Sequence, residues 1–150
     1  MTNVSIDYTN VSDISPLGTC TKLQNLSMNA TGVSSIAALA ACAEMGHISA
    51  YQTNLSSIAA VVNFTKLYSL NIGATNVSDI TPIQSLKAMR TFRADNSKIA
   101  DISALTRCAD AGGFTDPSSS IGIKGLTLNS QAINVDIPYL KSLGIEVITY

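Results

Sequence analysis

Three cysteines (Cys20, Cys42, Cys108), one histidine (His47) and seven Asn-x-Ser/Thr triplets are the residues of this 150-residue chain with recognisable chemistry. Thiolates and imidazoles at suitable spacing would hold zinc, or would pair as nucleophile and base. His47 has no second ligand at metal spacing and no activated nucleophile beside it, so the chain reads as a non-enzyme with no metal and no cofactor. Gly112 and Gly113 are neither preceded by a strand nor followed by Lys-Ser or Lys-Thr, so they form no phosphate cradle. The triplets at Asn3, Asn10, Asn25, Asn29, Asn54, Asn63 and Asn76 would suit glycosylation. Turn and strand positions rich in Asn, Ser and Thr generate such triplets automatically.

These residues are positioned by a repeat. TNVSDISPL at 9–17 returns as TNVSDITPI at 75–83, an interval of 66, or three times 22. Cut every 22 residues, the chain aligns Val4, Leu26, Ile48, Leu70 and Phe92, and two positions later Ile6, Met28, Ala50, Ile72 and Ala94. Further apolar columns follow: Val11, Val33, Leu55, Val77, Ile99; Ile14, Ile36, Ile58, Ile80, Ile102; Leu17, Leu39, Val61, Ile83, Leu105. Met1, Leu23, Met45, Leu67 and Met89 form another, and the cysteines fall in the column Cys20, Cys42, Phe64, Leu86, Cys108. Their role is therefore that of small buried hydrophobes. Cys20 and Cys42 would lie about 5 Å apart on adjacent coils, but an odd count and no secretory leader speak against an oxidised framework.

The fourth and sixth positions have the period of a short strand with one buried face. The later apolar positions come every three residues, which suits a 3₁₀-like or extended return. One unit is thus a strand, a bend and a return, and stacked units bury a continuous core that no single unit could cover. Asn10, Gly32, Asn54, Asn76 and Lys98 are expected to turn the chain after the strand through positive φ. Asp13, Ser35, Ser57, Asp79 and Asp101 are the expected caps of the return turns, and Pro16 and Pro82 suit a first helical turn.

This pattern resembles the 22-residue leucine-rich repeat of bacterial internalin-like proteins, strongly over 1–108. It departs at the ninth position, where the family's Asn is replaced by Thr9, Thr31, Thr53, Thr75 and Ser97. These hydroxyls are expected to bond backbone groups of the neighbouring coil. The resemblance implies an α/β solenoid: a right-handed coil with a parallel β-sheet on its concave face, a 3₁₀ and extended convex side, and about six repeats with a C-terminal helix-strand cap. One domain over 1–150 is expected: five regular repeats at 1–108, an irregular loop insertion of about twelve residues at 109–122, and the last repeat and cap at 123–150. In the cap, Ile137, Leu140 and Leu143 are expected on one helix face before Gly144 ends it and IEVITY forms a strand.

With 46% hydrophobic and 13% charged residues the chain must bury much of itself. A net charge of −1 with nine scattered Lys and Arg leaves no footprint for nucleic acid or an anionic membrane. No secretory leader and no 18-residue apolar stretch is seen, so the expected location is the cytoplasm or a virus particle, and secretion only if a leader has been removed.

The resemblance implies a non-enzymatic protein-binding module that recognises a protein partner through its concave sheet or the 109–122 loop. Side chains alternating with the buried pairs form that face, and Asp7, Asn29, His47, Tyr51, Arg93 and Asp95 are the candidate contacts, with Tyr51, His47, Arg93 and Asp95 the better anchors among them. Because Met1, Val4 and Ile6 already belong to the first repeat, Val4 and Ile6 form a candidate assembly edge. That edge suggests a homo-oligomer, or a decoration or adaptor subunit of a virus particle or other large assembly. A surface adhesin or a glycan-binding domain ranks below these.

Overall fold

In the computed structural model, which describes residues 1–150, the first residue of each regular unit's apolar pair is the centre of a three-residue strand and the second follows that strand directly. The strands are β1 (Asn3–Ser5), β2 (Asn25–Ser27), β3 (His47–Ser49), β4 (Ser69–Asn71), β5 (Thr91–Arg93), β6 (Ser120–Gly122) and β7 (Glu146–Ile148). They form one parallel sheet in sequence order, with like positions opposite one another: Val4 faces Leu26, Leu26 faces Ile48, and Ile48 faces Leu70. Parallel strands joined through a return path on one side give a coil, and the fixed unit length keeps each coil in register with the next.

The expected interior is the interior. Val33, Ile36, Leu55 and Ile58 are at most 1% exposed. They belong to one continuous apolar cluster that runs the length of the stack and includes Phe64 and Phe92. Cys42 and Cys108 are buried and donate weakly to the carbonyls of Leu17 and Leu86, whereas Cys20 is half-buried. Burial pushes the Cys108 thiol up to about 12, so it stays protonated and unreactive.

Behind the sheet the first four coils return through 3₁₀ turns at Ser15–Thr19, Ala37–Ala41, Ala59–Asn63 and Thr81–Ile83. The predicted capping residues stand one position earlier than the caps themselves, which are Ile14, Ile36, Ile58, Ile80 and Ile102, and each accepts from the N–H of the first residue of its return turn or helix. Asp13, Asp79 and Asp101 accept from the N–H of Ser15, Thr81 and Ser103 at 2.8 Å, and Ser35 and Ser57 accept from Ala37 and Ala59 at 3.2 and 3.3 Å. These bonds hold the carboxyls of Asp13, Asp79 and Asp101 below the usual range. Their stabilising contribution is present above the unfolded value near 3.8 and is lost as pH falls through the lower folded values. Asp101→Ala should cost about 1 kcal/mol in denaturant unfolding at neutral pH, and the deficit should shrink towards pH 3 as the wild-type carboxyl protonates.

Two expectations about the bend are corrected. Positive φ occurs at Tyr8, Ala30, Gln52, Ala74 and Asn96, two residues before the predicted positions, at values between 53° and 58°. The bend residue is also the last ladder donor: Tyr8 N–H donates to Asn29 C=O and Ala30 N–H to Tyr51 C=O, so the chain leaves the sheet two residues after the inward-pointing sixth position. Four of the five hydroxyls that follow bond within their own coil: Thr9, Thr31, Thr53 and Thr75 donate to the carbonyls of Ile6, Met28, Ala50 and Ile72 at 2.6 to 2.9 Å, whereas the buried Ser97 Oγ has no partner. A left-handed residue between donor and acceptor folds the hydroxyl back over three residues, within reach of its own coil's carbonyl and away from the neighbour.

Residues 109–122 are not the single loop expected: helix α1 (Ser103–Asp110) runs into the segment, and β6 occupies its last three residues. Phe92 pairs with Ile121, a spacing of 29, so the insertion relative to 22 is seven residues. Ser120–Gly122 was missed as a strand because its fourth-position residue, Ile121, is the lone large apolar side chain in SSSIG. In the C-terminal part a π-helical turn (Ala132–Asp136) leads into helix α2 (Ile137–Ser142), followed by β7. Leu140 is buried, but Leu143 is 50% exposed, because the helix ends before it and Gly144 at φ 82° turns the chain away. Tyr139 of α2 donates a hydrogen bond to Asp110 at the end of α1.

Candidate functional site

The outward side chains of β1 to β5 share one face, as the alternation requires. Asp7, Asn29 and Tyr51 lie in one column, with Gly73 and Asp95 beyond them. Three of these residues do something the sequence did not reveal. The backbone ladder steps from Asn25 N–H onto Thr2 C=O, and two such steps further on it would pair Asn29 N–H with Ile6 C=O. Thr9 takes that carbonyl instead, and Asn29 N–H donates to Asp7 Oδ1 at 2.6 Å.

The same exchange recurs along the sheet. Tyr51 N–H donates to Asn29 Oδ1 at 2.9 Å, and Lys124 N–H donates to Asp95 Oδ1 at 2.7 Å. Asp7 also accepts from Ser27 Oγ, and Asn29 from Ser49 Oγ, at 2.8 and 2.7 Å. Asp7, Asn29 and Asp95 therefore carry the strand ladder past the bend, each satisfying a main-chain donor of the next coil. The acceptor oxygens of Asp7 and Asn29 are engaged within the protein, whereas Asp95 commits only Oδ1, so the first two stiffen the face more than they offer it to a ligand.

Tyr51, Arg93 and His47 remain as presented groups. Tyr51, 39% exposed, lies over Gly73, where a Cβ would come within 3.1 Å of its ring. Arg93 lies over Gly122, whose absent Cβ would meet its Cδ at 2.6 Å, and Asp95 flanks the same glycine without pairing with the guanidinium. In each case a large side chain lies flat along the sheet because the residue opposite has no side chain. His47 lies in the column of Asn25 and Ser69, apart from the column of Tyr51. Its aromatic neighbour is Tyr68, with centroids 6.4 Å apart and planes tilted by 37°.

Tyr68 is the residue that sequence reasoning missed. It sits just before β4, 44% exposed, covering Gly46 of the preceding coil. The readable signal was a large residue and a glycine one repeat apart in the same column, which also holds for Tyr51 with Gly73.

Burial pulls the His47 imidazole below its ordinary value, so it is uncharged at neutral pH. As pH falls through about 6.5 the unfolded chain takes up its proton first, so His47 contributes nothing above that pH and lowers stability below it. An NMR titration of this single histidine should give a midpoint under 6.5, and Tyr68→Ala should move it back upward by uncovering the ring.

Val4 and Ile6 lie at the outer edge of the stack. Both are only half-buried, whereas Leu26 and Met28 in the same columns are fully buried. No three His, Cys, Asp or Glu side chains come together as a metal site would require, and no helix is long and apolar enough to cross a membrane.

Neither a protein-family model nor a curated protein matches the chain by sequence. Among solved structures, the internalin InlF of Listeria monocytogenes superposes with a TM-score of 0.84 at 20% identity, over 99% of this chain and 41% of that one. Internalin C2 from the same organism gives 0.66 at 20% identity, over 99% of this chain and 70% of its own. A leucine-rich-repeat protein of Leptospira interrogans gives 0.75 at 11% identity, over 98% and 42%. The chain thus spans less than half of InlF and of the Leptospira protein. Likenesses at this level of identity carry the architecture, and the sheet, the returns and the column register agree with it: the chain has the leucine-rich-repeat solenoid fold of the internalins.

Proposed function

We propose that this chain is a non-enzymatic protein-binding module whose concave sheet holds the principal contact, with Tyr51 and Arg93 as anchors and His47 beside them. Solenoids of this kind commonly bind proteins along the concave side. The observation that carries the reading is the glycine-backed placement of the two anchors on a face whose backbone is clamped from coil to coil by Asp7, Asn29 and Asp95. Large side chains held in place before binding lose little conformational freedom on association, and tyrosine and arginine are the types that dominate interface energies.

The test is cross-linking mass spectrometry to identify the partner in source cells, followed by titration of that partner against Tyr51→Ala/Arg93→Ala. Affinity should fall by about 30-fold or more, the effect of losing at least one hot-spot residue. An unchanged affinity would move the contact to residues 109–122 or to an edge of the stack.

A second reading, assembly through the first coil, is favoured by the half-buried Val4 and Ile6 on the outer strand. Concentration-dependent association in light scattering, lost on Val4→Asp or Ile6→Asp, supports it; a monodisperse monomer at high concentration removes it.

A further inference from the structure

The basic side chains, scattered in the sequence, are not all scattered in space. Lys66, Lys87 and Arg90 line one open cavity of about 370 Å³ at the edge where the returns enter the strands, together with Tyr68 and Thr115. No carboxylate lines it. Two stand just outside and orient its cations: Glu44 holds Lys66 at 2.6 Å, and Asp116 holds Arg90 at 3.3 Å. Lys87 has no ion pair. Three of nine cations thus converge on one cavity in a chain of net charge −1.

A second cleft of about 300 Å³ continues from the first, sharing Lys66 and Tyr68 and reaching Asn25; Glu44, the carboxylate already paired with Lys66, lines this second part. Tyr68 stands between the two and, through His47, adjoins the concave face.

We infer that this edge groove binds an acidic peptide segment of a protein partner, with aspartate or glutamate side chains on Lys66, Lys87 and Arg90 and an apolar side chain or backbone against the Tyr68 ring. The inference rests on the reading of the chain as a protein-binding module and adds a second contact to it. The chemistry follows from charge complementarity and exposure. Lys66 and Arg90 keep about 60% of their side chains in water, so each contact with a single small anion would be weak and screened. A segment that meets all three at once, along a groove longer than one anion, adds these contacts together and gains the aromatic surface.

The probe is a fluorescein-labelled (Glu-Ser)₄ peptide, read by anisotropy at low and at 0.5 M salt, with (Gln-Ser)₄ as neutral control. Expected are selective binding of the acidic peptide, its loss at high salt, and about fivefold weakening by Lys87→Glu, an exposed substitution that leaves no partner unpaired. Lys98→Glu, which places the same charge change outside the groove, should leave affinity unchanged. Equal binding of both peptides, or equal weakening by the two charge reversals, would overturn the inference. So would displacement by millimolar inorganic phosphate at constant ionic strength, or tighter binding of an oligothymidine eight-mer.

Running the same titration on Tyr51→Ala/Arg93→Ala separates the two proposals. Retained peptide affinity supports the edge groove whatever happens to the concave contact, and a loss would transfer the acidic recognition to Arg93 and sink the groove.

Discussion

Phe92→Ala is expected to destabilise the protein by about 3–5 kcal/mol, a large part of the 5–15 kcal/mol that holds a typical domain together. Phe92 is fully buried in the middle of the sheet, with Leu70 on one side and Ile121 on the other. Removing its ring leaves a cavity that the two flanking coils cannot close, because their backbones are pinned by the ladder. Thermal unfolding followed by circular dichroism should show a fall of about 10 °C or more.

Val4→Ala, in the same repeat column but half-buried at the outer strand, should cost about 1 kcal/mol or less. The contrast is the test. If both variants lost the same stability, the stacked core would not be what holds the coils, and the fold's energetics would have to lie in the turns.

The second large effect is expected at Asn29, on a surface that looks merely polar. Asn29→Ala removes the acceptor of Tyr51 N–H and of the Ser49 hydroxyl, and Ser49 is only 9% exposed. Leaving such donors without partners costs about 1–3 kcal/mol. Asn29→Asp keeps the acceptor and should recover most of the loss, although it sets a second carboxylate one coil from Asp7 and forfeits the donation to Ser27 Oγ. Asn54→Ala, an exposed substitution just past the bend, should stay within about 0.5 kcal/mol. Denaturant midpoints for the three variants decide the matter. If Asn29→Ala proved as neutral as Asn54→Ala, the seventh-position column would be free for ligand contact, and Asp7, Asn29 and Asp95 would return to the list of anchors.

The solenoid and its interior were legible in the sequence because burial is periodic. A side chain that points inward in one coil has a counterpart pointing inward 22 residues later, and a dry interior disfavours unpaired polar groups in those columns, so Leu26, Ile48, Leu70 and Phe92 announce one another. The capping residues were legible for a related reason: Asp13, Asp79 and Asp101 act on backbone two residues away, a distance that the chain itself fixes.

What only the tertiary structure decided lies between coils or depends on φ. The bend falls at Ala30 and Gln52, residue types with no preference for positive φ, because the position of the bend is imposed by where the ladder must stop. The seven-residue insertion was blurred because helix α1 absorbs part of it, and a helix and a loop of the same composition look alike until packing selects one.

The site divides in the same way. Sequence identified which side chains face outward, but it could not show that Asp7, Asn29 and Asp95 spend their acceptors on the neighbouring backbone. Nor could it show that Lys66, Lys87 and Arg90 meet around Tyr68. Column membership is a one-dimensional property that the amino-acid order carries by itself. Which side chains of adjacent coils touch depends on stacking distance and rotamer, and those exist only once the coils have closed on one another.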